Sequence, residues 1–283
     1  MVTPLKDSPH ERLPKEYRDI LVEAGCILEE IDYLLPASGG YTGAETRFVD
    51  TWTKLRVFGL SEYERIVLID SDMLVRQNLD ELFDMPLEED WIAAVHACTC
   101  NPFRIPHYPA YWVPETCAHN RAIPAGPEPD ALCIPFQPTP DSSLALHTIN
   151  SGIVVLRPNE GTYNKLIHAL HTNPDVNKYD FPDQDFIASE FKNRIKFLGY
   201  EYNATKHMRD CHKNLWRDDN IRICHYIFKE KPWVIPESGA TSRFNEQFQV
   251  VHGWWWDEWK ILQAEKEGAE WWGTVKALAT GAS

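Results

Sequence analysis

The run Arg65-Ile66-Val67-Leu68-Ile69 is almost continuously apolar and stops abruptly at Asp70-Ser71-Asp72. Runs of this kind fit strands buried on both faces inside a helix-covered, largely parallel sheet. Upstream, Pro14 to Ala24 carries Tyr17, Ile20 and Leu21 at helical spacing, Gly25 reads as a stop, and Cys26 to Ile31 as a short strand. After a Gly-rich turn at 38–43, Phe48, Trp52, Leu55 and Phe58 recur at helical spacing over Phe48 to Leu60. Two more strands follow, Trp91 to Val95 and Ile153 to Leu156. This alternation predicts an α/β domain with helices on both faces of its sheet. Ligands of such sheets bind beyond the carboxyl ends of the strands, which singles out the residues after Ile69.

Half of the 20 prolines fall between Asn101 and Pro140. No regular element is expected there, and a stretch of that length inside a domain reads as a lid or binding loop. Because strands flank it, the 283 residues are read as one domain with a Pro-rich insertion at about 101–140. A Trp-rich helical segment follows at about 254–283, with a single helix expected over Asp257 to Ala279.

Composition narrows the function. Asp and Glu total 42 against 28 Lys and Arg, for a formal charge of -14, the opposite of a nucleic-acid footprint. An anionic ligand therefore needs a local cation or a metal. No apolar run approaches the ~18–20 residues of a membrane span, and Met1-Val2-Thr3-Pro4 opens onto a polar stretch unlike a signal peptide. Seven scattered Cys do not form a paired framework. The expectation is a soluble cytoplasmic protein with reduced thiols.

Asp70 and Asp72, two apart where a strand ends, can turn hard oxygen ligands toward one Mg2+ or Mn2+. The competing reading makes Asp70 a helix cap and Asp72 a surface acid. Cys98, Cys100, His107, Cys117, His119 and Cys133 could be assembled into a zinc site, but they lack paired C-x-x-C knuckles, so ordinary buried thiols are the favoured reading. Trp254, Trp255, Trp256, Trp259, Trp271 and Trp272 could stack on sugars, although rings of this size more often pack helices.

Several strings occur together in one order: Trp52-Thr53-Lys54-Leu55, Tyr63, Arg65 through Val75, Asn78 through Phe83, Asn150-Ser151-Gly152, Asp183-Gln184, Tyr202-Asn203, and His225 with Lys231-Pro232-Trp233. Over roughly residues 45 to 235 this resembles family 8 glycosyltransferases, the group of glycogenin and the galactinol synthases. The resemblance implies a single Rossmann-like, GT-A type nucleotide-diphospho-sugar transferase domain with a mixed, mainly parallel sheet. It implies a retaining enzyme that moves a hexose from a UDP-sugar to a hydroxyl acceptor with Mn2+, or Mg2+ as the alternative, and it admits a homo-oligomer.

Carried over by position, the resemblance makes Asp70, Asp72 and His225 the metal ligands. Lys54, Ser71, Asn150, Ser151 and Lys231 join them as donor-binding residues, with Asp183 and Gln184 beside the reacting carbon. Arg47 and Asp180 are further candidates. The residues alone leave other readings open: a core histidine for His225, a polar strand start for Asn150 and Ser151, and a helix cap for Asp183 after Pro182. Two departures stand out. Val2-Thr3-Pro4 resembles the end of the family's second strand, so the base-binding unit is expected to be missing and the uridine side open. Phe228 replaces a glycine expected three residues after the histidine. A haloacid-dehalogenase phosphatase is disfavoured because Asp218-Asp219 precedes the strand Ile221 to Cys224. The remaining alternative is a catalytically impaired family member acting as a sugar- or nucleotide-binding protein.

Overall fold

A computed structural model describes residues 2–4, 13–37, 51–128, 130–234 and 243–280. The Gly-rich turn at 38–43 and Arg47 lie outside the described residues. Strand β1 (Val2–Pro4) pairs in parallel with β2 (Glu29–Ile31), and helix α1 (Lys15–Glu23) lies between them in sequence. Gly25 follows α1 at φ +92°, a conformation that glycine adopts without strain. The stretch read as a helix from Phe48 is a 3-10 helix over Thr51–Gly59. Its period of three residues aligns the buried Trp52, Leu55 and Phe58 on one side and leaves Lys54 on another.

Next come β3 (Ile66–Ile69), β4 (Met73–Val75), α2 (Glu81–Asp84), β5 (Ile92–His96), α3 (Leu144–His147) and β6 (Ile149–Leu156). Helices α4 (Glu160–Thr172) and α5 (Pro182–Glu190) precede β7 (Ile195–Leu198), β8 (Ala204–Thr205), α6 (Met208–Cys211) and β9 (Ile223–His225). The four-stranded sheet runs β3-β6-β5-β7 and a three-stranded sheet runs β4-β9-β8. Side chains of β5 and β6 alternate between two cores. Ile92, Ala94, Val154 and Leu156 face Trp52, Leu55, Phe58 and Phe186, while Ala93, Val95, Ile153 and Val155 face Leu82, Tyr202 and Ile223.

The sheet is mixed, as expected, but not mainly parallel. Among the described residues, β1–β2, β5–β7 and β8–β9 are parallel, whereas β3–β6, β5–β6 and β4–β9 are antiparallel. Strand β6 runs against both of its neighbours, and an apolar strand records burial on two faces without recording direction. The expected insertion is largely irregular, with short 3-10 turns at Pro114–Thr116 and Ala118–Arg121 and one bridge between Ile123 and Ile134.

The expected carboxy-terminal helix is instead two, α7 (Arg243–Lys266) and α8 (Trp272–Thr280). Gly268, at φ +107°, turns the chain between them. The tryptophans pack on one another and on their surroundings. Trp255 stacks on Trp259 at 5.4 Å, Trp259 meets Trp272 at 4.9 Å, and the Arg76 guanidinium lies 3.7 Å over Trp254.

Candidate active site

The site is assembled where the two sheets meet. Asp70 follows β3, and its N–H donates to the Gly152 carbonyl at 2.9 Å, which carries the β3–β6 ladder one step past the strand end. Two residues later β4 pairs antiparallel with β9, Met73 opposite His225, and the Tyr226 N–H donates to the Asp72 carbonyl at 2.9 Å. Asp72 and His225, separated by about 150 residues of chain, thus become neighbours through strand register. Ligand atoms of Asp70, Asp72 and His225 lie within 4.8 Å of one another.

Asn150 and Ser151, expected just before the strand Ile153 to Leu156, lie inside it, because β6 starts at Ile149. Between Ala94 and Val95 the β5–β6 register jumps from Val154 to Asn150. This bulge leaves Ser151, Gly152 and Ile153 without partners on β5, a device common beside active sites. A Cβ on Gly152 would stand 2.5 Å from His225 Cε1 and 2.7 Å from its Nδ1. Only a glycine there lets the imidazole lie across β6.

Hydrogen bonding fixes the imidazole. Asn203 Nδ2 donates to Asn150 Oδ1 at 2.8 Å, so Asn203 Oδ1 is the acceptor 2.8 Å from His225 Nδ1. His225 therefore donates from Nδ1 and turns Nε2 to Asp72 Oδ1, 3.2 Å away. Asp72 is held well below the ordinary carboxylate range. Burial opposes its ionisation, but the hydrogen bonds and charges of His225 and then Lys231 outweigh it. The Lys231 ammonium bonds to Asp72 and, at 2.5 Å, to the Tyr226 carbonyl.

Lys54 stands 2.8 Å from Asp70 Oδ1 and 3.2 Å from Asp183 Oδ2. Burial penalises its charge, yet Asp183 and Asp70 hold it above the usual lysine value. Asp183, the second residue of α5, does not cap the helix; it accepts from Ser151 Oγ at 2.8 Å. The carboxylate that does meet the helix start belongs to Asp185, which accepts from the Phe181 N–H at 2.9 Å. Gln184 is buried, and its Nε2 has no hydrogen-bond partner, leaving a donor for a ligand. Ser71 is exposed on the same pocket's lining.

These residues line a cavity of about 530 Å³. Its carboxylates and ammonium groups are Asp70, Asp72 and Asp183 against Lys54 and Lys231, a formal sum of three minus two, or one negative charge before the histidines are counted. A divalent cation reverses that sign to suit a diphosphate. The donor set fits such an ion. Cis ligands of an octahedral cation bound at ~2.0–2.6 Å lie about 2.8–3.7 Å apart, and the Asp72–His225 pair spans 3.2 Å. Two carboxylates with one imidazole suit Mn2+.

The opposite wall went unread in the sequence. Trp112 stacks on Phe181 at 4.9 Å, Tyr108 meets both rings edge-on at 4.9 and 5.2 Å, and all three line the cavity with Phe103 and Ile105. Phe181 precedes the expected Asp183, but nothing in a Pro-rich segment marks its aromatics as a wall until the fold brings them to α5. Asn203 stands in the sequence only as part of the string Tyr202-Asn203, and its role toward His225 depends on three-dimensional contact. Thr205 Oγ1 and His207 Nδ1 are further buried groups without partners on the lining. Phe228, where the resemblance leads one to expect glycine, has a left-handed backbone at φ +73°, with its ring 5.4 Å from Phe103 and 6.5 Å from Phe248.

Galactinol synthase 1 of Ajuga reptans is 27% identical over 247 residues, 86% of this chain and 68% of that protein. Galactinol synthase 1 of Arabidopsis thaliana is 28% identical over 248 residues, 86% of this chain and 66% of that protein. The chain thus spans about two thirds of the length of these relatives. Among solved structures, the glycosyltransferase GlyE of Streptococcus pneumoniae TIGR4 superposes with a TM-score of 0.49 at 18% identity, over 87% of this chain and 55% of that one. The galactosyltransferase LgtC, in complex with donor and acceptor sugar analogues, gives 0.49 at 16% identity over 81% and 76%. The family model Glycosyl transferase family 8 matches residues 41–235, a span that holds every carboxylate, lysine and histidine of the site, and by that match the chain belongs to this glycosyltransferase family.

Proposed function

We propose that this chain is a retaining hexosyltransferase that moves a hexose from a UDP-sugar to a hydroxyl acceptor, with Mn2+ as its cation. The observation carrying this reading is the convergence of Asp70, Asp72 and His225 between two lysines on one cavity. Asp70, Asp72 and His225 would hold the ion. Once bound, it supplies positive charge to a leaving diphosphate.

The chain's own residues supply the rest. Lys54 and Lys231 are fixed ammonium groups paired with Asp70 and Asp72; a metal sharing those two carboxylates loosens both lysines toward phosphate oxygens, while Lys54 keeps its contact with Asp183. In the transfer the bond from the sugar's anomeric carbon to the β-phosphate oxygen breaks, and its electron pair leaves with UDP. The acceptor oxygen bonds to that carbon, and its proton passes to the departing phosphate oxygen. Asp183, held by Ser151 and Lys54, orients sugar hydroxyls and balances charge. Gln184 offers its unpartnered Nε2 beside the reacting carbon. The wall of Tyr108, Trp112 and Phe181 gives the sugar or acceptor an apolar face to lie on.

The test is turnover of a UDP-sugar panel including UDP-glucose and UDP-galactose, with an assay for galactinol among the products, followed by NMR of the product's anomeric proton. Release of UDP with an α-linked product from an α-linked donor supports the reading. A β-linked product removes retention, and absence of turnover with intact UDP binding favours a nucleotide-binding protein.

A further inference from the structure

Beside the cavity, whose lining includes Cys98, three sulfurs surround one imidazole nitrogen. Cys98, Cys100 and Cys117 place Sγ 3.3, 3.4 and 3.6 Å from His212 Nε2. All four residues are buried, and the three cysteines are free thiols. Their four ligand atoms lie within 4.8 Å of one another. Hydrogen bonding does not account for this, because one imidazole nitrogen carries either a single N–H or a single lone pair. Three sulfurs at one nitrogen exceed that capacity threefold. A tetrahedral zinc with Zn–S of about 2.3 Å and Zn–N of about 2.0–2.1 Å sets its S···N edges at about 3.6 Å, close to the observed spacings.

We propose that Cys98, Cys100, Cys117 and His212 form a structural zinc site. The ligand set is Cys3His, which closes all four positions. Two other candidates in the sequence are engaged elsewhere: Cys133 Sγ lies 3.3 Å from Glu201 Oε2, and His119 Nε2 lies 3.0 Å from the His96 carbonyl. Cys211 and His207 form a neighbouring group that shares Cys98, but with three ligands it is incomplete as a structural site. Spacing gave no knuckle pattern because the ligands come from three separate segments. Cys98 and Cys100 follow β5, Cys117 lies between the two 3-10 turns of the insertion, and His212 follows α6.

The consequence is mechanical. Between Cys100 and Cys117 the chain has no regular element except one 3-10 turn, and it carries Phe103, Ile105, Tyr108 and Trp112 of the cavity wall. An ion joining that segment to β5 and to His212 holds the wall in place. Zinc binding then contributes directly to the stability of the segment.

The test is elemental analysis of the untagged 283-residue chain. One zinc per chain is expected in the wild type and in Asp72→Ala, which separates this site from the carboxylate cluster, and less than a tenth of that in Cys117→Ser and His212→Ala. Should those variants fail to fold, cobalt substitution of the wild type decides: sulfur-to-cobalt charge transfer with intense tetrahedral visible bands is expected. Chelation of the wild type should also lower Tm by several degrees. Zinc absent from a folded wild type, a disulfide among Cys98, Cys100 and Cys117 in its mass spectrum, or a cobalt spectrum without sulfur ligation would overturn the proposal. None of these outcomes depends on the sugar-transfer reading.

Discussion

Asn203 Oδ1 accepts the His225 Nδ1 proton at 2.8 Å, and this contact decides that Nε2, not Nδ1, meets Asp72. Partners of this kind set both the tautomer and the aim of a metal-ligating histidine. Asn203→Ala should therefore weaken Mn2+ binding by about 10–100-fold with little loss of fold. Titration of Mn2+ into the two proteins measures it, and equal affinities would detach Asn203 from the site.

Gly152 gives a steric counterpart. A methyl group at 2.5 Å from His225 Cε1 must push the ring off β6 and away from the partners that hold its two nitrogens, Asn203 at Nδ1 and Asp72 at Nε2. Gly152→Ala should reduce Mn2+ affinity more than tenfold and lower stability by the ~1–3 kcal/mol of a crowded core. Chemical denaturation beside the metal titration separates the two effects; a variant that binds Mn2+ normally would show that the histidine tolerates displacement.

Phe228 combines a left-handed backbone, φ +73°, with an aromatic ring in a buried cluster. Removing the ring as Phe228→Gly also relieves the backbone, whereas Phe228→Ala removes the ring and keeps the strain. The alanine variant should be the less stable of the two by about 1 kcal/mol, the reverse of the usual helix order. Denaturant midpoints of the pair test this, and alanine above glycine would mean that the turn relaxes when the ring is gone.

Asp185 is pushed up to about 7 by burial, opposed by the hydrogen bond from the Phe181 N–H and assisted by the charges of Asp180 and Asp183. A carboxyl raised above its unfolded value of about 3.9 binds more protons in the folded chain, so its contribution is present below about pH 4 and is lost as pH rises toward 7. Asp185→Asn keeps an acceptor for Phe181 and does not titrate. The wild type should lose stability relative to this variant between about pH 4 and pH 7, and parallel stability curves would contradict the assignment.

Much of this architecture could be read from residues alone, for reasons the structure makes plain. Apolar runs such as Ile66 to Ile69 mark strands because both faces are buried, and Gly25 marks the end of α1 because of its φ. Direction was not readable: nothing in Ile153 to Leu156 says that β6 runs against its neighbours. The charged half of the site was legible because Asp70, Asp72, His225, Lys54 and Lys231 stand in recurrent strings. Its supports were not. Asn203, Tyr108, Trp112 and Phe181 take their roles from contacts between segments far apart in sequence, and so do the thiols around His212. The two terminal helices were misread as one although Gly268 carried the signal to split them.

The most direct measurement of the central claim is the rate of UDP release from the preferred UDP-sugar, taken with Mn2+, after chelation at the carboxylate cluster, and with Asp72→Ala. The account predicts Mn2+-dependent release in the wild type, at least a hundredfold slower release on chelation, and the same loss in Asp72→Ala even at saturating Mn2+. UDP release that continues undiminished in the chelated wild type, or in Asp72→Ala, would contradict a cation held by Asp70, Asp72 and His225 as the basis of sugar transfer.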